Sequence, residues 1–303
     1  MTTFHASPAL RRRTTTPRVS IVVPALNEAL NLAAVLPLLP PVHEVILVDG
    51  GSVDGTVQAA RRALPSIVTV LQGRRGKGNA LAAGFARVTG DVVVMFDADG
   101  SADPAEITRF VEALTAGADF AKGSRYAAGG GSADITPVRS GGNRALNALF
   151  NLGFRTRYTD LCYGYNAFWA DLIPLLDLPD HTTPPAANGR MVWGDGFEIE
   201  TLINCRFAAA GVRITEVASV ENARLFGESN LHAVTDGLRV LKTLVTEWGR
   251  AFFRRRALRQ AARLPVVVTE PDLDLDIDLD LDLALDFGRG LDLDLDLETT
   301  VAA

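Results

Sequence analysis

Cysteine is scarce in this chain. Cys162 and Cys205 are the only two in 303 residues, too few to staple a fold, so a reduced, cytoplasmic setting is expected. The four histidines are scattered without ligand spacing, so no histidine-built metal centre is expected. No apolar run approaches the ~20 residues that cross a bilayer. Arg11-Arg12-Arg13 is not followed by the apolar stretch of a secretory signal. The protein is expected to be soluble or peripheral on the inner face of the membrane. A strong charge of one sign is also missing from most of its length. Residues 1–264 carry 29 basic and 24 acidic side chains, a net of +5. That weak excess suits phosphate-bearing ligands or an anionic surface and is no footprint of nucleic-acid binding. The formal −6 of the whole chain comes from residues 271–300, where eleven acids and one arginine give −10.

Apolar material is plentiful, at 48% of the residues, enough for one large domain with a full core. It comes in short β-branched runs at 19–24, 44–48, 67–71 and 91–96, with another strand end at 120–124. Such runs belong to strands buried on both faces, as in a parallel sheet. Helices are expected at 31–39, 56–63, 79–88 and 104–116, the last with Asp103 as N-cap before Pro104. This order predicts an α/β fold with a doubly wound sheet. Beyond residue 125 the pattern loosens into a Gly-rich loop at 127–134, helices at 143–153 and 198–210, and a short strand at 213–217. Leu231, Val234, Leu238, Leu241, Val245, Trp248 and Phe252 then recur at three- and four-residue steps, marking one helical face that runs into Arg254-Arg255-Arg256. That helix either packs on the domain or lies at a membrane surface. From Asp272 aspartate alternates with leucine or isoleucine. Like charges on one face repel across a sheet, so this segment is expected to be disordered. The organisation expected is a flexible basic arm (1–17), a globular domain (18–250), a basic helical extension (251–265) and an acidic low-complexity tail (266–303).

Two acidic turns carry the chemistry. Residues 44–48 run into Asp49-Gly50-Gly51-Ser52, and residues 91–96 into Asp97-Ala98-Asp99-Gly100. Ligands of open α/β sheets collect at the carboxyl ends of the strands, and a carboxylate there is costly unless it meets a cation or a donor. Asp97 and Asp99, two apart, face one way in extended chain. Two hard oxygens on one side suit Mg²⁺ or Mn²⁺ on a diphosphate. Asp49 either serves a nucleotide or caps its own glycine turn.

In order along the chain, residues 22–28 (VVPALNE), 48–56 (VDGGSVDGT), 76–81 (GKGNAL), Asp97-Ala98-Asp99, 123–126 (GSRY), Asp160 with 164–168 (GYNAF), and 224–229 (RLFGES) resemble the family 2 inverting glycosyltransferases. Within that family they are most similar to the dolichol- and polyprenol-phosphate sugar synthases. The likeness spans about residues 18–250 and implies a GT-A type nucleotide-binding fold. It also implies a nucleotide-sugar donor, GDP-mannose or UDP-glucose, and a polyprenyl phosphate acceptor. By the resemblance, Pro24, Leu26, Asn27, Glu28, Asp49, Gly51 and Ser52 shape the nucleotide pocket, with Ala98 between the metal acids. Asp97, Asp99 and Ser101 form the metal shell, in which Ser101 is a weaker ligand than the amide of some relatives. Lys77 meets the diphosphate. Arg125 and Arg224 hold the acceptor phosphate or the diphosphate, assisted by Ser229. Asn230 stands where relatives often carry lysine, which leaves the acceptor open.

Residues 193–200 (WGDGFEIE) open a helix with three acids. An alcohol acceptor needs a carboxylate base, whereas a phosphate is already ionised and needs none. In the lipid-phosphate synthases the matching stretch keeps an acid at the position of Glu200, while Asp195 and Glu198 are extra. A soluble transferase to a small hydroxylated acceptor, with one of these acids as base, is therefore the alternative. All three acids equally suit the N-terminus of a helix. A sugar-nucleotide-binding scaffold without turnover is a third reading, against which Asp97, Asp99 and Arg224 speak.

Overall fold

The structure, a computed structural model, describes residues 13–133, 135–187, 191–227 and 233–261. Residues 1–12, Ser229 and the acidic segment 266–303 lie outside the described residues. The chain divides into two compact units at Leu244/Val245; the sheet and the candidate site belong to the first.

That unit alternates strand and helix as far as β5. The order is β1 (Val19–Ala25), α1 (Ala29–Val35), β2 (Glu44–Asp49), α2 (Thr56–Ala63), β3 (Val68–Leu71), α3 (Lys77–Phe85), β4 (Val92–Met95), α4 (Ile107–Thr115) and β5 (Phe120–Ser124). Then come β6 (Gly131–Ser132), α5 (Pro137–Phe154), β7 (Asn166–Trp169), α6 (Ile199–Ala210), β8 (Ile214–Ala218), β9 (Val220–Glu221) and α7 (Ala233–Ala261), which crosses into the second unit. Seven strands form one sheet in the order β3-β2-β1-β4-β7-β5-β8. β1 to β4 are mutually parallel, so their carboxyl ends open on one edge. Ile21, Val22, Val23, Ile46, Leu47, Val93 and Val94 are fully buried, as continuous apolar strands must be when helices cover both faces.

The sheet is mixed, whereas the run of β-branched strands predicts a parallel one. β7 lies antiparallel between β4 and β5. Its four residues, Asn-Ala-Phe-Trp, are too few to show a period. The helix expected at 143–153 starts six residues earlier, because the Thr136 hydroxyl caps it by accepting from the Arg139 N–H, with Pro137 following. Gly141 and Gly142 disguised that start. Pro37 turns the end of the first expected helix into a short 3-10 segment, Leu36–Leu38. Within the Gly-rich stretch expected as a loop, β6 pairs with β9 in a small second sheet. Along α7, Leu238, Leu241, Val245, Trp248 and Phe252 are all exposed.

Candidate active site

The turns after β1 and β2 are stitched together by side chains. Asn27 holds a positive φ of 57°. Its N–H donates to the Ser52 hydroxyl (2.8 Å) and its amide oxygen accepts from the Val53 N–H (3.0 Å). The Glu28 and Ala29 N–H groups donate to Thr56 Oγ1 (2.9 Å) and Asp54 Oδ2 (3.0 Å). The buried Asp49 carboxylate accepts from the N–H groups of Gly51 and Ser52, both at 3.2 Å. Its turn-capping role is therefore realised. Gly51 sits at φ 88°, a conformation costly for any residue with a Cβ. Pro24, Leu26, Asn27, Glu28, Asp49, Gly51 and Ser52 thus gather at one end of β1 and β2, with Leu26 half exposed.

At the end of β4 four acids and two cations interlock. Lys77 Nζ lies 2.7 Å from Asp97 Oδ1 and 2.5 Å from Glu200 Oε1. Arg224 bridges Glu28 Oε1 (2.9 Å) and Asp99 Oδ2 (3.2 Å). The other Asp99 oxygen accepts from the Ser101 N–H (3.0 Å) and hydroxyl (2.7 Å). Ser101 therefore orients Asp99. Burial works against the Lys77 charge, but Asp97 and Glu200 outweigh it and hold the ammonium above its ordinary range. Burial pushes the Asp97 carboxyl up; Lys77 pulls it back, while Glu200 and Asp99 push it up again. Negative charge is in excess around Asp97 even with Lys77 in place.

Other expected site residues stand in different company. Arg125 is buried. Its fork grips Asp160 (2.7 and 2.9 Å), its remaining nitrogen reaches Glu221 (3.0 Å), and its guanidinium lies 5.0 Å from the centre of the Tyr163 ring. A guanidinium so occupied ties β5 to β9 and offers no free fork to a phosphate. Burial alone would raise Asp160, but Arg125's hydrogen bonds and the charges of Lys122 and Arg125 hold it below the usual carboxylate range.

Asp195 is buried against Arg74, Oδ2 to Nε at 2.5 Å and Oδ1 to Nη2 at 2.8 Å. Arg74 is itself buried and also donates to the carbonyls of Asp180 and Thr183. Glu198 accepts from the Gly194 and Gly196 N–H groups (2.9 and 3.2 Å). Both acids are engaged in holding the turn before α6. That turn in turn holds the N-terminus of α3: the Asp195 carbonyl accepts from the Gly78 N–H at 2.7 Å, and a Cβ on Gly78 would collide with the Gly194 carbonyl.

Three positioning residues were missed in the sequence. Asn31 is buried, donates to Glu28 Oε2, and exchanges hydrogen bonds with the Phe226 backbone (3.0 and 3.1 Å), which anchors the segment carrying Arg224. Arg74 and Glu221 are the others. An amide on the inward face of a short helix was the available signal for Asn31; the two charged residues gave none.

The profile described as "Glycosyl transferase family 2" matches residues 20–170. The polyprenol monophosphomannose synthase of Mycolicibacterium smegmatis is 30% identical over 246 residues, covering 77% of this chain and 88% of the relative. The undecaprenyl-phosphate mannosyltransferase of Micrococcus luteus is 33% identical over 244 residues, covering 77% and 95%. The chain is a family 2 glycosyltransferase. Among solved structures, the glucosyl-3-phosphoglycerate synthase of Mycobacterium tuberculosis, crystallised with Mn²⁺, UDP and glucosyl-3-phosphoglycerate, superposes with a TM-score of 0.58. It is 24% identical, with 77% of this chain and 80% of that one covered. That likeness supports the GT-A fold for this glycosyltransferase. Among the described residues no group of three or more His, Cys, Asp or Glu side chains could hold a metal ion. Any divalent ion here would rest on Asp97 and Asp99 and draw its remaining ligands from the substrate. Hard carboxylate oxygens with unbalanced negative charge fit such an ion.

Proposed function

We propose that this glycosyltransferase moves a hexose from a nucleotide sugar, GDP-mannose or UDP-glucose, to a polyprenyl phosphate at the inner face of the membrane, with inversion. One observation carries the acceptor. Asp195 is clamped by Arg74 and Glu198 by two backbone N–H groups, which leaves Glu200, paired with Lys77, as the one acid a ligand could release. Two of the three candidate bases are thus spent on holding the turn before α6, which suits an acceptor that arrives ionised. The names of the two mannosyltransferase relatives point the same way.

The base and ribose would sit in the β1/β2 turns, near Pro24, Leu26, Asn27, Asp49, Gly51 and Ser52. Asp97 and Asp99 would hold Mg²⁺ or Mn²⁺, which as a Lewis acid supplies charge stabilisation to the leaving diphosphate. Lys77 and Arg224 are the movable cations. Each now rests on acids that a cationic ligand would occupy, and each is a donor for phosphate oxygens once released. A phosphate oxygen of the acceptor attacks the anomeric carbon from the face opposite the diphosphate. The new C–O bond forms as the old one breaks, and the diphosphate leaves with the electron pair.

The test is a donor panel with Mg²⁺ or Mn²⁺, scoring sugar transfer into a membrane-lipid extract. Label in the lipid fraction with one donor supports the reading and names the sugar. Donor hydrolysis or transfer only to water-soluble acceptors overturns it and returns Glu200 to the role of base.

A further inference from the structure

Helix α5 is built inside out. Its inward side holds Asn143 and Asn147 beside Phe150 and Phe154, all buried. The asparagines clasp the chain that follows the helix. Asn143 Nδ2 donates to Asp160 Oδ1 (3.1 Å), and Asn147 donates to the Thr159 carbonyl (2.6 Å) while accepting from the Leu161 N–H (2.7 Å). One turn on, Asn151 exchanges two hydrogen bonds of 2.8 Å with the Tyr158 backbone. The outward side is the apolar one. Val138, Leu149 and Leu152 are 77%, 50% and 78% exposed. At helical spacing they share a stripe with Gly142 and Ala145, which are exposed too. This stripe lies on the side of the helix opposite Asn143 and Asn147. A surface helix normally has the reverse arrangement, with its apolar stripe on the core.

The charge around the stripe has one sign. Between Asp134 and Asp160 the chain has no acid and no lysine, but four arginines, Arg139, Arg144, Arg155 and Arg157. At helical spacing Arg139 and Arg144 fall on the two flanks of the stripe, and Arg155 and Arg157 follow its C-terminal end. Arg144, Arg155 and Arg157 are exposed. Aliphatic residues bordered by long cationic side chains suit a helix lying in a bilayer interface, with the guanidinium groups held at the headgroups. A second copy of this chain is the poorer occupant. A two-fold contact sets the same patch against itself, and here that brings arginine onto arginine.

The place of the helix agrees. β5 and β4 both run antiparallel to β7, so their carboxyl ends share one sheet edge, the edge of the candidate site. α5 is tied to that end of β5. The Tyr126 hydroxyl donates to Ser140 (3.1 Å), and Asp160 is shared between Asn143 and the Arg125 fork.

We propose that the outward face of α5 docks on an anionic bilayer surface. Val138, Leu149 and Leu152 enter the interface, and Arg144, Arg155 and Arg157 meet the lipid phosphates. The inference rests on the lipid-acceptor reading for its purpose and gives that reading's membrane contact an address. Its readout is binding without donor or acceptor, so the two can fail separately.

The test is co-sedimentation of the full chain at low salt with phosphatidylglycerol vesicles and, in parallel, with neutral phosphatidylcholine vesicles. Wild type is expected to bind the anionic vesicles alone. Changing Arg144, Arg155 and Arg157 together to Gln is expected to weaken that binding about a hundredfold, at about fivefold per lost charge. Changing Val138, Leu149 and Leu152 together to Gln is expected to weaken it about tenfold or more, with the urea midpoint close to wild type, since none of the three belongs to the core. A Leu152→Trp chain gives a second measurement, a blue shift of emission on anionic vesicles larger than that of wild type. No wild-type binding, equal binding to both kinds of vesicle, or Gln variants that bind like wild type would overturn the proposal; lipid transfer persisting in detergent would then leave the acceptor reading standing. A wild-type dimer in sedimentation velocity that the apolar-to-Gln variant dissociates also overturns it and assigns the face to a second copy. Vesicle binding that follows the expected order without any transfer to lipid sinks the acceptor reading and keeps this one.

Discussion

Two kinds of acid–cation cluster stand in the first unit, and they look alike in sequence. Arg125–Asp160 and Arg74–Asp195 are closed: their side chains are 5%/0% and 4%/1% exposed. Lys77–Asp97 and Arg224–Asp99 are open, at 15%/35% and 24%/21%. In the closed pairs each guanidinium fork is saturated by a carboxylate and by further acceptors from other elements. In the open ones a cation is shared between two acids that a ligand can also reach. Desolvation makes the closed pairs hard to break, because removing one partner strands the other charge. The open pairs keep contact with solvent and strand less charge when they exchange partners. The closed pairs serve the architecture, and the open pairs are the ones the proposed function draws on.

The comparison is tested most severely at Arg125. Arg125→Ala strands Asp160 and is expected to cost about 3–5 kcal/mol of stability, measured by urea unfolding at neutral pH. If the variant keeps wild-type stability while activity disappears, the pair belongs with the open class. Asp99→Ala is the converse experiment. Turnover is expected to fall about a hundredfold or more, about 2.7 kcal/mol in the barrier, with the urea midpoint close to wild type. A variant with full activity would remove Asp99 from the ion-holding role.

Acid titration separates the classes further. The folded-state value of Asp160 lies below that of the unfolded chain, so its stabilisation is complete above the ordinary carboxylate value of about 3.9. It is lost as pH falls through the depressed folded value. In Asp160→Asn the acid limb of a stability–pH curve is expected to flatten, and an unchanged limb would place the acid sensitivity elsewhere. The smallest expected effect is that of Glu200→Gln. With a phosphate acceptor, loss of this Lys77 partner is expected to change kcat less than about tenfold, or 1.4 kcal/mol. A collapse of kcat with an alkaline shift of the pH profile would reinstate a carboxylate base.

Much of the site was legible because it lies where strands end. The turns after 44–48 and 91–96 announced themselves by an apolar run stopping at acid and glycine, and Asp49, Asp97 and Asp99 stand at those strand ends. The capping of the 3-10 turn at Pro104 by Asp103 was equally local, its carboxylate accepting from the Ala105 N–H at 2.9 Å. What escaped the sequence was pairing at long range. Arg74 with Asp195 spans 121 residues, and Arg224 with Glu28 spans 196. No local pattern tells a buried fork from an open one, so Arg125 and Arg224 read as equals. β7 escaped for a related reason: a four-residue strand is defined by the neighbours it is inserted between.

The sequence by itself determined the elements whose causes are local, namely the buried strands, their acidic carboxyl ends, the helix caps and the apolar-to-basic face of α7. Periodicity, turn chemistry and capping act within a few residues, and so they can be read in one dimension. Tertiary structure alone decided which charges are closed and which are open. The free energy of an ion pair depends on how far its partners are withdrawn from water and what else they touch. Both are properties of distant segments brought together.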